Sequence, residues 1–271
     1  MSFETRAQNW RNQVSSSSNS NFYQNFINGD SRIMHLETSR AAFEAFAQNG
    51  EIFSMRLELG LLNSSSKIAS PVNFAPFLNY KYSSVGQRNI LTFSPVATSN
   101  TPRNPPPPPP NTSGVPERFL VLAQQRWKKQ GDSGLYNNFR ANDLGVQYYD
   151  INTKLNLELF AILKCFLKNS EIYERWKGIR LHLGIYQKGS GCVEQFPYLF
   201  TPIIEFLFEK KAGDEWDKVP VPAQDCIRDH TPDRGNCFEP DQEQLNSDDN
   251  SGSGLWQYLQ PCPPCEPPNG E

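Results

Sequence analysis

The chain has 271 residues, of which 37% are hydrophobic and 20% charged, and its net charge is −3. This composition is ordinary for a globular protein, and no apolar run is long enough to span a bilayer. The first residues lack the apolar core of a secretory signal. We therefore expect a cytoplasmic protein by default, although non-classical export or association with a particle is compatible with the same sequence.

The first folded unit is expected over residues 30–98. It follows residues 1–29, which carry spaced aromatics but too few apolar residues for a core, and which we expect to be flexible or ordered by a partner. A helix is predicted over residues 40–47, because the sequence is alanine-rich and Thr38 or Ser39 can cap its start.

Two stretches of the chain repeat one another, Arg56-Leu57-Glu58-Leu59-Gly60 and Arg180-Leu181-His182-Leu183-Gly184. Each alternates apolar and polar residues, which predicts a strand with one buried face and one solvated or partner-facing face. A second matched segment follows each copy, beginning at Phe74 and at Phe200, with large apolar residues in the same phase at five positions. The agreement favours an internal duplication, and two unrelated hairpins are the alternative.

The second unit is expected over residues 116–210, and it shows the same order of helix, strand, loop and strand. Its predicted helices cover residues 116–127, 155–168 and 171–177. Pro76 and Pro202 cannot donate a ladder hydrogen bond, so both are expected at strand starts or sheet edges. The fold class is therefore α+β, with two similar helix-plus-antiparallel-strand units between extended terminal segments.

A proline-rich linker, residues 99–115, separates the two units and contains six consecutive prolines. Such a run forms a stiff, extended helix without internal hydrogen bonds. Its position favours a spacer, and a docking peptide for an aromatic-lined groove is the alternative.

The C-terminal segment, residues 211–271, is acidic. It holds thirteen acidic and four basic residues, a charge of −9, which leaves +6 for residues 1–210. A solvated extension is favoured over one that folds back on the basic body. The segment also carries bulky residues that we expect to dock on the body or on a partner chain, namely Trp216, Trp256 and Tyr258.

Four of the six cysteines lie in this acidic tail together with one histidine. The C-x-x-C spacing of the last two can chelate zinc or form a redox disulfide, although the first two are separated by ten residues, unlike a zinc knuckle. The weak zinc ligand set is Cys226, Cys237, Cys262, Cys265 and His230. Cys165, in a predicted apolar helix, is expected to be a small buried hydrophobe.

No catalytic motif is present. The weak catalytic candidates are the polar residues of the repeated strands, Arg56, Glu58, Arg180 and His182, which would meet if the two copies paired about a pseudo-twofold axis. Two basic segments with tryptophan, 126–129 and 173–177, could contact nucleic acid, but they also fit helices with a buried tryptophan.

We therefore expect a non-enzymatic structural or protein–protein interaction protein, a subunit of a larger assembly, with protein partners or self-assembly and no cofactor. One alternative is a small enzyme or zinc-binding protein that uses the tail cysteines. The other, less favoured, is a weak nucleic-acid binder.

Overall fold

The computed structural model describes residues 1–15, 21–47, 52–64, 72–82, 88–95, 117–141, 144–151, 153–187, 198–209, 255–256 and 260–262. The first half, residues 1–95, contains α1 (Phe3–Ser15), a 3-10 turn (Phe22–Phe26), β1 (Ile27–Asn28), β2 (Ser31–Arg32), β3 (His35–Ser39), α2 (Arg40–Ala47), β4 (Ile52–Glu58), β5 (Phe77–Tyr82), β6 (Arg88–Thr92) and β7 (Ser94–Pro95). The second half, residues 117–262, contains α3 (Glu117–Lys129), α4 (Asp132–Asn137), β8 (Arg140–Ala141), β9 (Leu144–Gly145), β10 (Tyr148–Ile151), α5 (Thr153–Lys168), α6 (Ser170–Arg175), β11 (Trp176–Gln187), β12 (Tyr198–Phe208), β13 (Leu255–Trp256) and β14 (Gln260–Cys262).

The predicted helices are present, with small changes at their ends. α2 has the predicted bounds, and the Ser39 hydroxyl accepts a hydrogen bond from the Ala42 N–H at 3.4 Å, as expected of a cap. The prediction over residues 171–177 is wrong at its end, because Trp176 already begins β11. None of the described helices is both long and apolar enough to cross a membrane.

Every described strand pair is antiparallel, which confirms the α+β class. The first large sheet has the strand order β14-β10-β4-β5-β6, and the second has the order β13-β12-β11-β3-β7. Each sheet thus takes strands from both halves of the chain. The units predicted over residues 30–98 and 116–210 share both sheets and one hydrophobic core.

The two repeated hairpins have the same register. In each hairpin, the leucine that follows the arginine pairs with the residue four positions after the phenylalanine that begins the returning segment. The pairing then continues to that phenylalanine itself. The matching pairs are Leu57–Leu78 and Leu61–Phe74 in the first hairpin, and Leu181–Ile204 and Ile185–Phe200 in the second. A duplicated unit predicts this agreement.

The halves also make reciprocal hydrogen bonds. The Trp10 indole N–H of α1 donates to the Val146 carbonyl of the second half at 2.7 Å. The Trp127 indole N–H of α3 donates to the Ile33 carbonyl of the first half at 2.8 Å. Both indoles are fully buried, so each helix is fixed on the opposite half of the chain through a satisfied donor.

The tail contributes the outer strands on one side of each sheet. β13 pairs with β12 in the second sheet, and β14 pairs with β10 in the first. In the first half, β6 pairs with β5 and β7 pairs with β3, so β6 and β7 connect the two sheets in the same way. β13 and β14 therefore correspond to β6 and β7, and these two strands of the tail are folded onto the body, contrary to the expected solvated extension.

The expectation of a flexible or partner-ordered segment is wrong for the described part of residues 1–29, because α1 lies on the body with Trp10 in the core.

Pro76 precedes β5, as expected. Pro202 lies inside β12 and not at its start, but among the described residues β13 pairs only with Ile204 and Glu205, so Pro202 has the other expected position, at a sheet edge. Pro202 is tolerated because its neighbour Leu183 donates its N–H away from β12, to the Met34 carbonyl, so the Leu183–Pro202 pair needs no ladder bond.

Candidate functional site

The main polar cluster of the structure is centred on β11. Arg180 and His182 are two residues apart on this strand, so their side chains lie on the same face of the second sheet. The neighbouring strands place a carboxylate on each side of Arg180, since Glu205 of β12 and Glu37 of β3 are its direct cross-strand partners. His35 is the cross-strand partner of His182.

Arg180 is held between the two carboxylates. Its Nε donates to Glu37 Oε1 at 2.7 Å, and an Nη lies 3.4 Å from Glu205 Oε2. Charge-assisted hydrogen bonds of this kind are stronger than neutral ones, and they are least screened where water is excluded. Arg180 therefore links the three central strands of the second sheet.

His182 joins the sheet to α3. Its Nε2 lies 2.8 Å from Glu205 Oε2, and its Nδ1 lies 2.9 Å from the side-chain amide nitrogen of Gln124. A neutral imidazole that carries its proton on Nε2 donates to the carboxylate and accepts from the amide, which satisfies both ring nitrogens. The His35 ring is also close, with its centroid 5.9 Å from that of His182.

Helix α3 covers this face of β11. Gly184, two residues beyond His182, permits the close approach, because a Cβ at that position would lie 2.8 Å from the Ala123 Cβ. His182 is 3% exposed and Glu205 is 5% exposed. The expectation of a solvated or partner-facing polar face is therefore wrong for this strand.

The first half has a different set of side chains at the equivalent positions. Glu58 occupies the position of His182, and its carboxylate accepts from the Asn79 amide at 3.4 Å. Arg56 is exposed, and its guanidinium lies 4.4 Å from the centre of the Tyr148 ring. Arg56 and Glu58 belong to the first sheet, so the structure does not bring the four catalytic candidates together.

The cluster has the chemical groups of an acid–base pair, but these groups are not accessible to a substrate. A His beside a carboxylate can act as a general base when one ring nitrogen can reach a substrate. Here Gln124 occupies the second ring nitrogen, and both members of the pair are buried. A surface depression of about 680 Å³ lies elsewhere, lined by Ala161, Lys164, Cys165, Lys168, Asn169 and Ser170.

The zinc candidates remain a prediction. Cys226, Cys237, Cys265 and His230 lie outside the described residues, and only the backbone of Cys262 is described, in β14. Among the described residues, no group of three His, Cys, Asp or Glu side chains is placed to hold a metal ion. Cys165 is disulfide-bonded and partly exposed, so its assignment as a small buried hydrophobe is wrong.

The aromatic residues assigned to interactions have different positions. Trp256 lies in β13, whereas Trp216 and Tyr258 lie outside the described residues. Trp127 and Trp176, which belong to the two basic segments, are buried in the core. Neither indole can stack on a nucleic-acid base without opening the core. The helix interpretation holds for the first segment, whereas in the second Trp176 begins β11 and Arg175 is buried.

The partners of Arg180 and His182 were not predicted. Glu205 is a single acidic residue in the apolar run of β12, and a charge in that context is a signal for a buried ion pair. Glu37 and Gln124 carry no such signal, because they come from distant parts of the chain.

No protein-family model matches the chain, and no curated protein or solved structure is similar to it.

Proposed function

We propose that this protein is a non-enzymatic structural or interaction protein that acts as a subunit of a larger assembly. The observation that carries the proposal is the burial of the His182 imidazole beside Glu205. His182 is buried under α3 with both ring nitrogens hydrogen-bonded, so it joins strands and helix together and offers no atom to a substrate.

A comparison of the two halves supports a structural role for the cluster. The same position on the first sheet is occupied by Glu58 and Asn79, which also form a side-chain hydrogen bond. A polar pair at this position is therefore common to both halves, whereas the histidine is not. Such pairs fix the register of neighbouring strands, because a shifted register would leave a buried polar group without its partner.

The charge distribution along the sequence supports association between copies. Residues 1–210 carry +6 and residues 211–271 carry −9, so each chain has two parts of opposite net charge. Complementary charges steer association and fix the orientation of partners. Contacts of this kind weaken as salt screens them.

Native mass spectrometry of the purified protein tests the proposal. We expect masses at integral multiples of 30.8 kDa, with the multiples decreasing as the salt concentration of the sample before buffer exchange is raised. A single species of 30.8 kDa at every concentration and at low salt would refute the assembly. Extra mass that corresponds to zinc on each chain would instead support the metal-binding alternative.

A further inference from the structure

The outer edges of β12 and β10 are filled by one short segment of the tail. Ile204 and Glu205 of β12 pair with Trp256 and Leu255. Three residues of β10, beginning at Tyr148, pair with β14. β13 and β14, which together we call the clasp, therefore cover part of one edge of each large sheet and protect the backbone groups there from other strands.

The connection that leads to the clasp differs greatly between the halves. Only residues 83–87 separate β5 from β6, and five residues span at most about 17 Å, so β6 can leave its own β5 only if the whole hairpin opens. Residues 210–254 separate the end of the described β12 region from the clasp, and 45 residues can span up to about 150 Å. The covalent connection therefore does not restrict the clasp to its own chain.

The fold already contains an exchange of this kind between its halves. β3 of the first half pairs with β11 of the second, and β10 of the second half pairs with β4 of the first. Both exchanges place a strand beside the corresponding arginine-containing strand of the other half. Strands of one half therefore already pair with strands of the other, similar half within a single chain.

We propose that the clasp also pairs with β12 and β10 of a second copy of this chain, and that this exchange links subunits in the assembly. The inference rests on the proposed function as a subunit. A clasp donated by a neighbour makes the same backbone hydrogen bonds as a clasp in its own chain. The balance between the two forms is therefore set by the local concentration of neighbours, and crowding of subunits in an assembly favours exchange.

Cross-linking between two differently tagged full-length variants tests the exchange. Asp150 of β10 lies opposite Gln260 of β14, so one variant carries Asp150→Cys and the other carries Gln260→Cys. Neither chain alone can form the 150–260 disulfide. After mixing, incubation and oxidation with oxidised glutathione, mass spectrometry of the peptides reports this bond separately from any that involves a native cysteine.

A matched pair on the first half gives the control. Lys81 of β5 lies opposite Arg88 of β6, and an exchange of these strands would require the hairpin to open completely. Chains with Lys81→Cys and chains with Arg88→Cys should therefore show no cross-link between them. We expect the 150–260 cross-link to exceed the control at least about tenfold, and to increase with protein concentration. A chain that carries both Asp150→Cys and Gln260→Cys shows that the site can oxidise.

The outcomes separate this inference from the proposed function. Oligomers by native mass spectrometry without an intermolecular 150–260 bond would overturn the exchange and leave the assembly intact. A monomer at all concentrations that forms this bond only within one chain would overturn both. Equal cross-linking of the test pair and the control pair would show random collision and would also overturn the exchange.

Discussion

Phe26 and Phe139 occupy equivalent positions in the two halves and stack on each other, with ring centroids 5.5 Å apart and an interplanar angle of 9°. Each ring also lies beside the tryptophan of the opposite half, since Trp127 is 5.0 Å from Phe26 and Trp10 is 4.9 Å from Phe139. The centre of the core is thus formed jointly by both halves. Equivalent residues of the two halves should therefore contribute similar amounts to the stability of the protein.

Replacement of either tryptophan by phenylalanine should have similar consequences. Trp10→Phe leaves the Val146 carbonyl without its indole donor, and Trp127→Phe does the same to the Ile33 carbonyl. A buried acceptor without its partner costs about 1–3 kcal/mol, to which the smaller ring adds a packing loss. Urea unfolding measures the loss in the free energy of unfolding for each variant. A neutral effect in one of them would contradict the reciprocal role.

The close approach of helix and strand gives a second prediction. Gly184→Ala should destabilise the protein by about 1–3 kcal/mol, because the new methyl group meets Ala123 at 2.8 Å in a packed interior. Gly60→Ala should behave alike, since its methyl group would lie 2.8 Å from the Ala75 carbonyl oxygen. The control is Gly131→Ala, which meets nothing within 4 Å. Thermal unfolding that ranks the control with the other two would refute this packing.

The buried cluster should be sensitive to its most enclosed carboxylate. Glu205→Gln removes the charge that faces both Arg180 and His182, and the loss of a hydrogen-bond partner by a buried polar group costs about 1–3 kcal/mol. Glu37→Gln should cost less, about 1 kcal/mol, because that carboxylate is more exposed and Arg180 keeps Glu205. Denaturant unfolding of both variants gives the comparison. The opposite order would show that Glu205 does not hold the cluster together.

Tyr149 gives the protein a defined response to alkaline pH. Its hydroxyl donates to the Phe200 carbonyl at 2.9 Å, and burial raises its pKa well above the ordinary value of 10.0. The unfolded chain therefore loses this proton at a lower pH than the folded chain does. The stabilisation that Tyr149 gives the folded state is complete below about pH 10, and it is lost as the pH rises through the folded-state pKa.

Tyr149→Phe should remove the part of the stability loss at alkaline pH that is due to ionisation of Tyr149. At neutral pH the variant should lose about 1–2 kcal/mol, because the Phe200 carbonyl loses its side-chain donor. Unfolding free energies measured from pH 8 to pH 11 should fall less steeply for the variant than for the parent chain. Parallel curves would contradict the buried, protonated state of Tyr149.

Local sequence signals were sufficient for four of the helices and for the repeated hairpins, whereas α1 and α4 were not predicted. The bounds of α2 follow from its alanine content and its serine cap, which involve only neighbouring residues. The common register of the hairpins follows from their apolar phase, because a shift of one residue would place the buried set on the opposite face. Both predictions depend on interactions that are close in sequence.

The arrangement of the strands could not be predicted in the same way. Nothing within β3 indicates that it pairs with β11, which lies more than a hundred residues away in the chain. β13 has two residues, too few for any periodic pattern. The cluster was missed for the same reason, because Glu37, Gln124 and Glu205 meet His182 or Arg180 only after these distant strands and α3 have assembled.

The two halves of the chain form one body through shared sheets. A protease site inserted in residues 99–115 allows the intact, folded protein to be cut between the halves. Size-exclusion chromatography with light scattering then measures whether the two pieces separate. We expect them to elute together at the mass of the uncut protein and to part only in denaturant. Separation into two individually folded halves under native conditions would contradict the claim.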